Sequence, residues 1–267
     1  MILRALAYAI MALLLLPLAA IVATTFTELS YVTFPPRGFT LKWYGAALAR
    51  QEFLDSFLLS LGVGVVTAAL ATLLGAPVAV GLVRHRFRGR DLVNAFFMSP
   101  LILPTVVIGI ALLQFYSQIR LAASPASLVL GHVIVTTPYA IRLISASLTG
   151  LDPAIERAAR NLGAPPVRAF LLTTLPLIRP GLLAGAIFAF ITSFDNVTIS
   201  IFLATPRMVT LPVRIYNLWD QPLQPWLMAI CALVILWTVL LLALVERVVS
   251  IRGLYGGGAV PAGEAAR

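Results

Sequence analysis

The sequence predicts an all-α, polytopic membrane protein with about six transmembrane helices. Three observations carry that reading. Of the 267 residues, 60% are hydrophobic and only 11% are charged, where a soluble domain would carry about 25%. Several apolar runs reach the ~20 residues that a helix needs to cross a bilayer. Basic residues also gather on alternate loops, as the positive-inside rule requires. That distribution explains the net charge of +9 without any role for nucleic acid. Cys231 is the single cysteine and lies in an apolar run, so no disulfide framework or cysteine-rich metal site can form. The two histidines, His85 and His132, are far apart and make no recognisable ligand pair.

The six spans run roughly Arg4 to Thr25, Ser56 to Val83, Leu92 to Ser117, Ala126 to Ser147, Leu177 to Leu203, and Trp226 to Val249. The first is read as a retained helix because its apolar core exceeds the 7–15 residues usual for a signal peptide. A cleaved leader ending at "LAA" or "IVA" is the alternative. The second is crowded with small residues, Gly62, Gly64, Ala68, Ala69, Ala71, Gly75, Ala76 and Gly81, which let helices approach closely in lipid. In the third, Pro100 and Pro104 free backbone carbonyls, either as a simple kink or beside a ligand path.

With the N-terminus inside, the loops at 84–91 and 148–176 and the C-terminal tail are cytoplasmic. Six of the nineteen basic residues then lie outside: Arg37, Lys42, Arg50, Arg120, Arg207 and Arg214. The cluster "RHRFRGR" at 84–90 is read as a topology signal, with a patch for RNA or anionic lipid as the alternative. Two outer loops, 26–55 and 204–225, join the spans. Residues 1–252 form one transmembrane domain, and the glycine- and alanine-rich stretch 253–267 is expected to be disordered.

The cytoplasmic segment at about 150–176 is too polar and too organised for a plain connector. Asp152 offers an N-cap and Pro153 a first helical residue. Ile155, Ala158, Ala159 and Leu162 recur at i, i+3, i+4 and i+7, which makes one apolar face. Gly163 is a natural C-terminal stop. After Pro165 and Pro166 a second short helix is expected, with Val167, Phe170, Leu171 and Thr174 on one face. The apolar face of the first helix either packs against the protein's own helix ends or docks into another protein.

This segment resembles the "EAA" loop of ABC importer permeases: EAA, three residues, Gly, nine residues, Ile-x-Leu-Pro. Ala158, Ala159, Gly163, Leu175 and Pro176 stand at the matching positions. Arg157 occupies the family's glutamate position, with Glu156 displaced by one, and Thr173 replaces the isoleucine. "SPLILPTVVIGIALL", "SFDNVTISIFLATP" and "TLPVRIYNLWD" further resemble permeases of the polyamine (spermidine/putrescine) type. The resemblance implies a type I importer permease architecture in the bacterial inner membrane, with both termini cytoplasmic. It implies three kinds of partner besides the bilayer: two cytoplasmic ATPase subunits, a second and related permease chain, and an extracytoplasmic substrate-binding protein. Glu156, Arg157 and the matched residues would form the ATPase-coupling loop.

A P-loop needs G-x-x-x-x-G-K-[ST], and the single lysine, Lys42, is followed by tryptophan. This chain is therefore expected to bind no cofactor itself, with ATP and Mg²⁺ used by the partner ATPase, and it carries no catalytic constellation. Asp195, in "TSFDNVTIS", is the one carboxylate assigned to the interior of a span. At a helix centre it would cost about 2.5–3.5 kcal/mol, so it must face water or a partner. Either it lines the substrate path with Asn196, Thr192 and Phe194 and attracts a cation, or it is a structural ion pair with Arg142 or another chain. A small cationic solute is the cargo of choice. The same machine carrying iron, an anion or an amino-acid derivative is the alternative, followed by a stand-alone secondary transporter.

Overall fold

The computed structural model describes residues 2–218 and 220–249; the tail at 253–267 lies outside the described residues. Among them, regular structure is helical apart from an isolated bridge between Thr205 and Met208. The first helices are α1 (Ile2–Thr24), α2 (Lys42–Leu48) and α3 (Gln51–Arg84). Then come α4 (Arg90–Ile102), α5 (Thr105–Gln118) and α6 (Pro125–Thr149). The polar insert contributes α7 (Ala154–Asn161), α8 (Pro166–Ala169), a π-helical turn (Phe170–Thr174) and α9 (Leu175–Leu177). Last are α10 (Arg179–Phe194), α11 (Val197–Leu203), α12 (Leu211–Tyr216) and α13 (Pro225–Val249). The chain divides into two compact units, Met1–Arg50 with Pro222–Arg267, and Gln51–Gln221.

In the first unit α1 and α2 both pack on α13. Every residue from Leu3 to Ala19 is exposed, an apolar surface suited to lipid rather than water. The loop after α1 is held by its aromatic residues. Trp43 Nε1 donates to the Thr27 carbonyl at 2.7 Å, and the Thr25 and Tyr44 hydroxyls bond at 2.8 Å. Phe26 stacks on Phe39 with centroids 5.1 Å apart, and the Arg50 guanidinium lies 3.6 Å from the Trp226 ring centroid.

The second unit is built on α3, α6 and α10, whose mutual contact buries Ala68, Ala71, Ala79, Ala140, Ile141, Ile144 and Ala189. Small side chains set that approach. A Cβ at Gly75 would stand 3.3 Å from that of Ala140, and one at Gly181 would stand 2.4 Å from the Ser147 Cβ. Gly62 and Gly81 differ from expectation: a Cβ there meets nothing within 4 Å, so they lie off the packed face. At about 1.5 Å per residue the 34 residues of α3 measure ~51 Å, more than the ~30 Å hydrocarbon core.

Two spans are broken. The third is not a kinked helix, because α4 and α5 meet at 103°. Pro104 explains the position of the break: it pushes Leu103 out of the helical region, to φ −77°, ψ 139°. The fifth span is interrupted after Phe194 and resumes at Val197. A further 66° bend separates 166–177 from α10.

Candidate functional site

Two places gather the residues singled out in the sequence. The first is the insert. The helix starts one residue later than expected, so Pro153 stands at the N-cap position, and Asp152, one residue before it, accepts from the Ala154 N–H through Oδ1 at 2.8 Å. At the other end the Gly163 N–H donates to the Arg160 carbonyl at 3.0 Å, and the Ala164 N–H donates to the Ala159 carbonyl at 3.2 Å. These are the paired bonds of a Schellman stop, which needs a left-handed residue; Gly163 supplies it with φ +89°. No residue of α7 is buried. Its apolar face is therefore not covered by the unit's own helices: Ile155 and Ala158 are exposed, and Leu162, just beyond the helix, is 90% exposed.

The second short helix differs from expectation. Ala169 and Thr174 are buried, whereas Val167 and Leu171 are exposed. A π-helical turn carries more residues per turn than an α-helix, so the register rotates across Phe170–Thr174. Pro176 lacks the N–H that a regular helix would give to Leu172. The displaced acid has a definite place: Glu156 Oε2 accepts from Thr174 Oγ1 at 2.6 Å, tying α7 to the π-turn. Arg157, at the family's glutamate position, is exposed. Leu175 and Pro176 are half-buried where the chain turns toward α10.

The second place is the break in the fifth span. Asp195 is not inside a helix; it terminates α10 and is exposed. Among the described residues its carboxylate has no hydrogen bond or ion pair, Arg142 included. Asn196 caps α11, its Oδ1 accepting from the Ile199 N–H at 2.8 Å. Phe194 turns inward: it is 8% exposed, stacks on Phe190 at 5.8 Å and meets Phe57 edge-on at 6.0 Å. Its faces are occupied within the unit, so it is not free to stack on a solute. Thr192 is half-buried beside Asp195 in sequence.

The residue that sequence reasoning missed is His132. It is 0% exposed, with Nδ1 2.7 Å from Ser193 Oγ and Nε2 2.9 Å from Ser200 Oγ. One ring nitrogen of a neutral imidazole donates and the other accepts, and serine hydroxyls fit either role. His132 thus bridges α10 and α11 across the break that exposes Asp195. A polar side chain in an apolar span needs a partner, and the seven-residue spacing of the two serines was the available signal.

Residues 71–252 match the family described as binding-protein-dependent transport system inner membrane component. The chain belongs to this family. It is a permease subunit of an ABC importer, a non-catalytic membrane component whose ATPase is a separate subunit. The permease is 33% identical over 226 residues to the putrescine transport system permease protein PotI of Escherichia coli K12, covering 82% of this chain and 80% of that one. It is 30% identical over 227 residues to the spermidine/putrescine transport system permease protein PotC of the same strain, covering 85% and 86%. Its fold is that of a bacterial ABC transporter that imports the acidic polysaccharide alginate, with TM-score 0.72, 17% identity, and 92% and 95% of the two chains covered. A second structure of a bacterial alginate transporter, in complex with an alginate-bound periplasmic protein, matches with TM-score 0.66 at 16% identity, over 96% and 95%. The permease therefore has the type I importer architecture, within a family named for binding-protein-dependent transport systems.

Proposed function

We propose that this permease moves a small organic cation, a polyamine such as putrescine or spermidine, into the cytoplasm. The observation that carries the reading is the exposed Asp195 carboxylate at a helix break, with no cation beside it among the described residues. A carboxylate left unpaired at membrane depth is costly unless water or a cation meets it. The broken helix exposes backbone that only a cavity or protein can satisfy. The PotI and PotC relatives, named for putrescine and spermidine transport, support the same cargo. Asp195 and Thr192 are the residues assigned to the path; Asn196 shapes it by capping α11, and Phe194 supports it from behind.

The insert is assigned to energy coupling. The exposed apolar face of Ile155, Ala158 and Leu162, braced by Glu156–Thr174 and stopped by Gly163, docks on a cytoplasmic ATPase, one of two that bind ATP and Mg²⁺. A second, related permease chain completes the path. Both termini and the insert lie in the cytoplasm, in keeping with the basic residues at Arg84, Arg86, Arg88 and Arg90. A different cargo has one observation in its favour: with Asn196 Oδ1 engaged in the cap, the break offers a single carboxylate, which a monocation such as an amino-acid derivative also satisfies.

The test is ATPase stimulation. The reconstituted transporter, supplied with its binding protein, should hydrolyse ATP faster with putrescine or spermidine than with sulfate. Asp195→Asn should remove that difference. Equal stimulation by the anion, or indifference to Asp195→Asn, contradicts the assignment.

A further inference from the structure

An apolar groove of about 840 Å³ runs along α3 and α10, and its lining includes Ala69, Ala76, Pro77, Gly81, Ile178 and Leu182. Its origin is steric. Small residues line the α3 side, and the 66° bend before α10 carries the insert helix away, which opens a wedge. From Ala69 to His85 the groove follows sixteen residues of chain, ~24 Å at helical rise, enough to cover one leaflet of a ~30 Å core.

At one end the groove changes character. A second cavity of about 440 Å³ shares Val80, His85 and Phe170 with it and adds Arg84, Arg157 and Arg160. Glu156 also lines this cavity, but its Oε2 accepts from Thr174, so three guanidiniums face one engaged carboxylate. Arg84, Arg157 and Arg160 line this cavity together, and a phosphate is the anion that guanidinium geometry matches.

We propose that the two cavities together bind one anionic phospholipid. An acyl chain lies along α3 and α10, and the headgroup phosphate is held by Arg84, Arg157 and Arg160 where the membrane meets the insert. An apolar trough one leaflet long that ends in a basic pocket has this complementarity; a neutral lipid satisfies only the trough. Such a lipid would sit between α3 and the coupling segment and so brace the joint.

The test uses nanodiscs holding the assembled transporter, doped with phosphatidylglycerol that carries a photoreactive diazirine on its acyl chain. Phosphatidylcholine with the same group is the comparison. Peptide mass spectrometry should find the phosphatidylglycerol label concentrated on the stretches around residues 72–81 and 175–186. Phosphatidylcholine should label them much less. Arg84→Gln should lower the phosphatidylglycerol label about fivefold, the usual worth of one basic residue at an anionic surface. Gly81→Leu has open space for its Cβ and should fill the groove, reducing label from either lipid while the ATPase still co-purifies. Labelling independent of headgroup and of Arg84 overturns the proposal. So does a groove that stays unlabelled while neighbouring helices are labelled, because a protein surface would then be covering it.

Discussion

Replacing Gly163 tests whether the insert works as a rigid coupling element. Its φ of +89° is left-handed, and a Cβ placed there meets nothing within 4 Å. Any cost of substitution is therefore in the backbone and not in a clash. For an ordinary L-residue it is about 1–2 kcal/mol; asparagine tolerates the region better, and a β-branched residue worse. The two bonds closing the stop, at 3.0 and 3.2 Å, form only with that turn in place. If docking needs the turn, apparent affinity for the ATPase falls with the fraction of chains that hold it. A cost of 1–2 kcal/mol then sets a ceiling of roughly 5–30-fold. The assay is titration of the purified ATPase onto nanodisc-held permease carrying Gly, Asn, Ala or Val at position 163. The expected order of affinity is Gly, Asn, Ala, Val. Valine binding as tightly as glycine would refute the reasoning, and so would asparagine failing as badly as valine.

Three further outcomes follow from the geometry. His132→Ala should lower the thermal stability of the purified complex by about 1–3 kcal/mol, since two interhelical bonds in a bilayer average ~0.6 and reach ~1.7 kcal/mol each. His132→Gln should recover part of that loss, and an unchanged melting curve would show that the bridge holds nothing. For Glu156 and Thr174, a double-mutant cycle with Glu156→Ala and Thr174→Val should give a coupling near the ~1.5–3 kcal/mol of a hydrogen bond to a charged group, read as hydrogen exchange across 154–177; additive effects would contradict it. Finally, Gly181→Leu should block assembly, because its Cβ would fall 2.4 Å from that of Ser147, whereas a Cβ at Gly62 meets nothing within 4 Å and Gly62→Leu should be tolerated. Similar yields of the two variants would contradict the packing described for α10.

Much of the fold was legible because a bilayer imposes length and hydropathy on each span. The α7 stop was equally legible, and its start was off by one residue, because both are local: Asp152 and Gly163 act within a few residues of themselves. What escaped reading was set by distance. Pro104 marked a break in the third span, but its 103° angle depends on how α4 and α5 pack on α6. The π-turn before Pro176 changed which of Val167, Phe170, Leu171 and Thr174 is buried, a one-residue effect that apolar spacing cannot register. The interruption at Asp195 carries neither proline nor glycine, so the acid was read as lying within a helix; Asn196 as a cap was the overlooked local signal. His132 bonds serines 61 and 68 residues away, and no pattern near His132 could name them.

The most direct test of the central claim is uptake of labelled putrescine and spermidine by cells carrying the complete transporter, with wild-type or Asp195→Asn permease. The account predicts saturable polyamine uptake that is lost with the carboxylate while the ATPase still co-purifies. Undiminished uptake by Asp195→Asn, or none by an assembled wild-type complex that hydrolyses ATP, would contradict it.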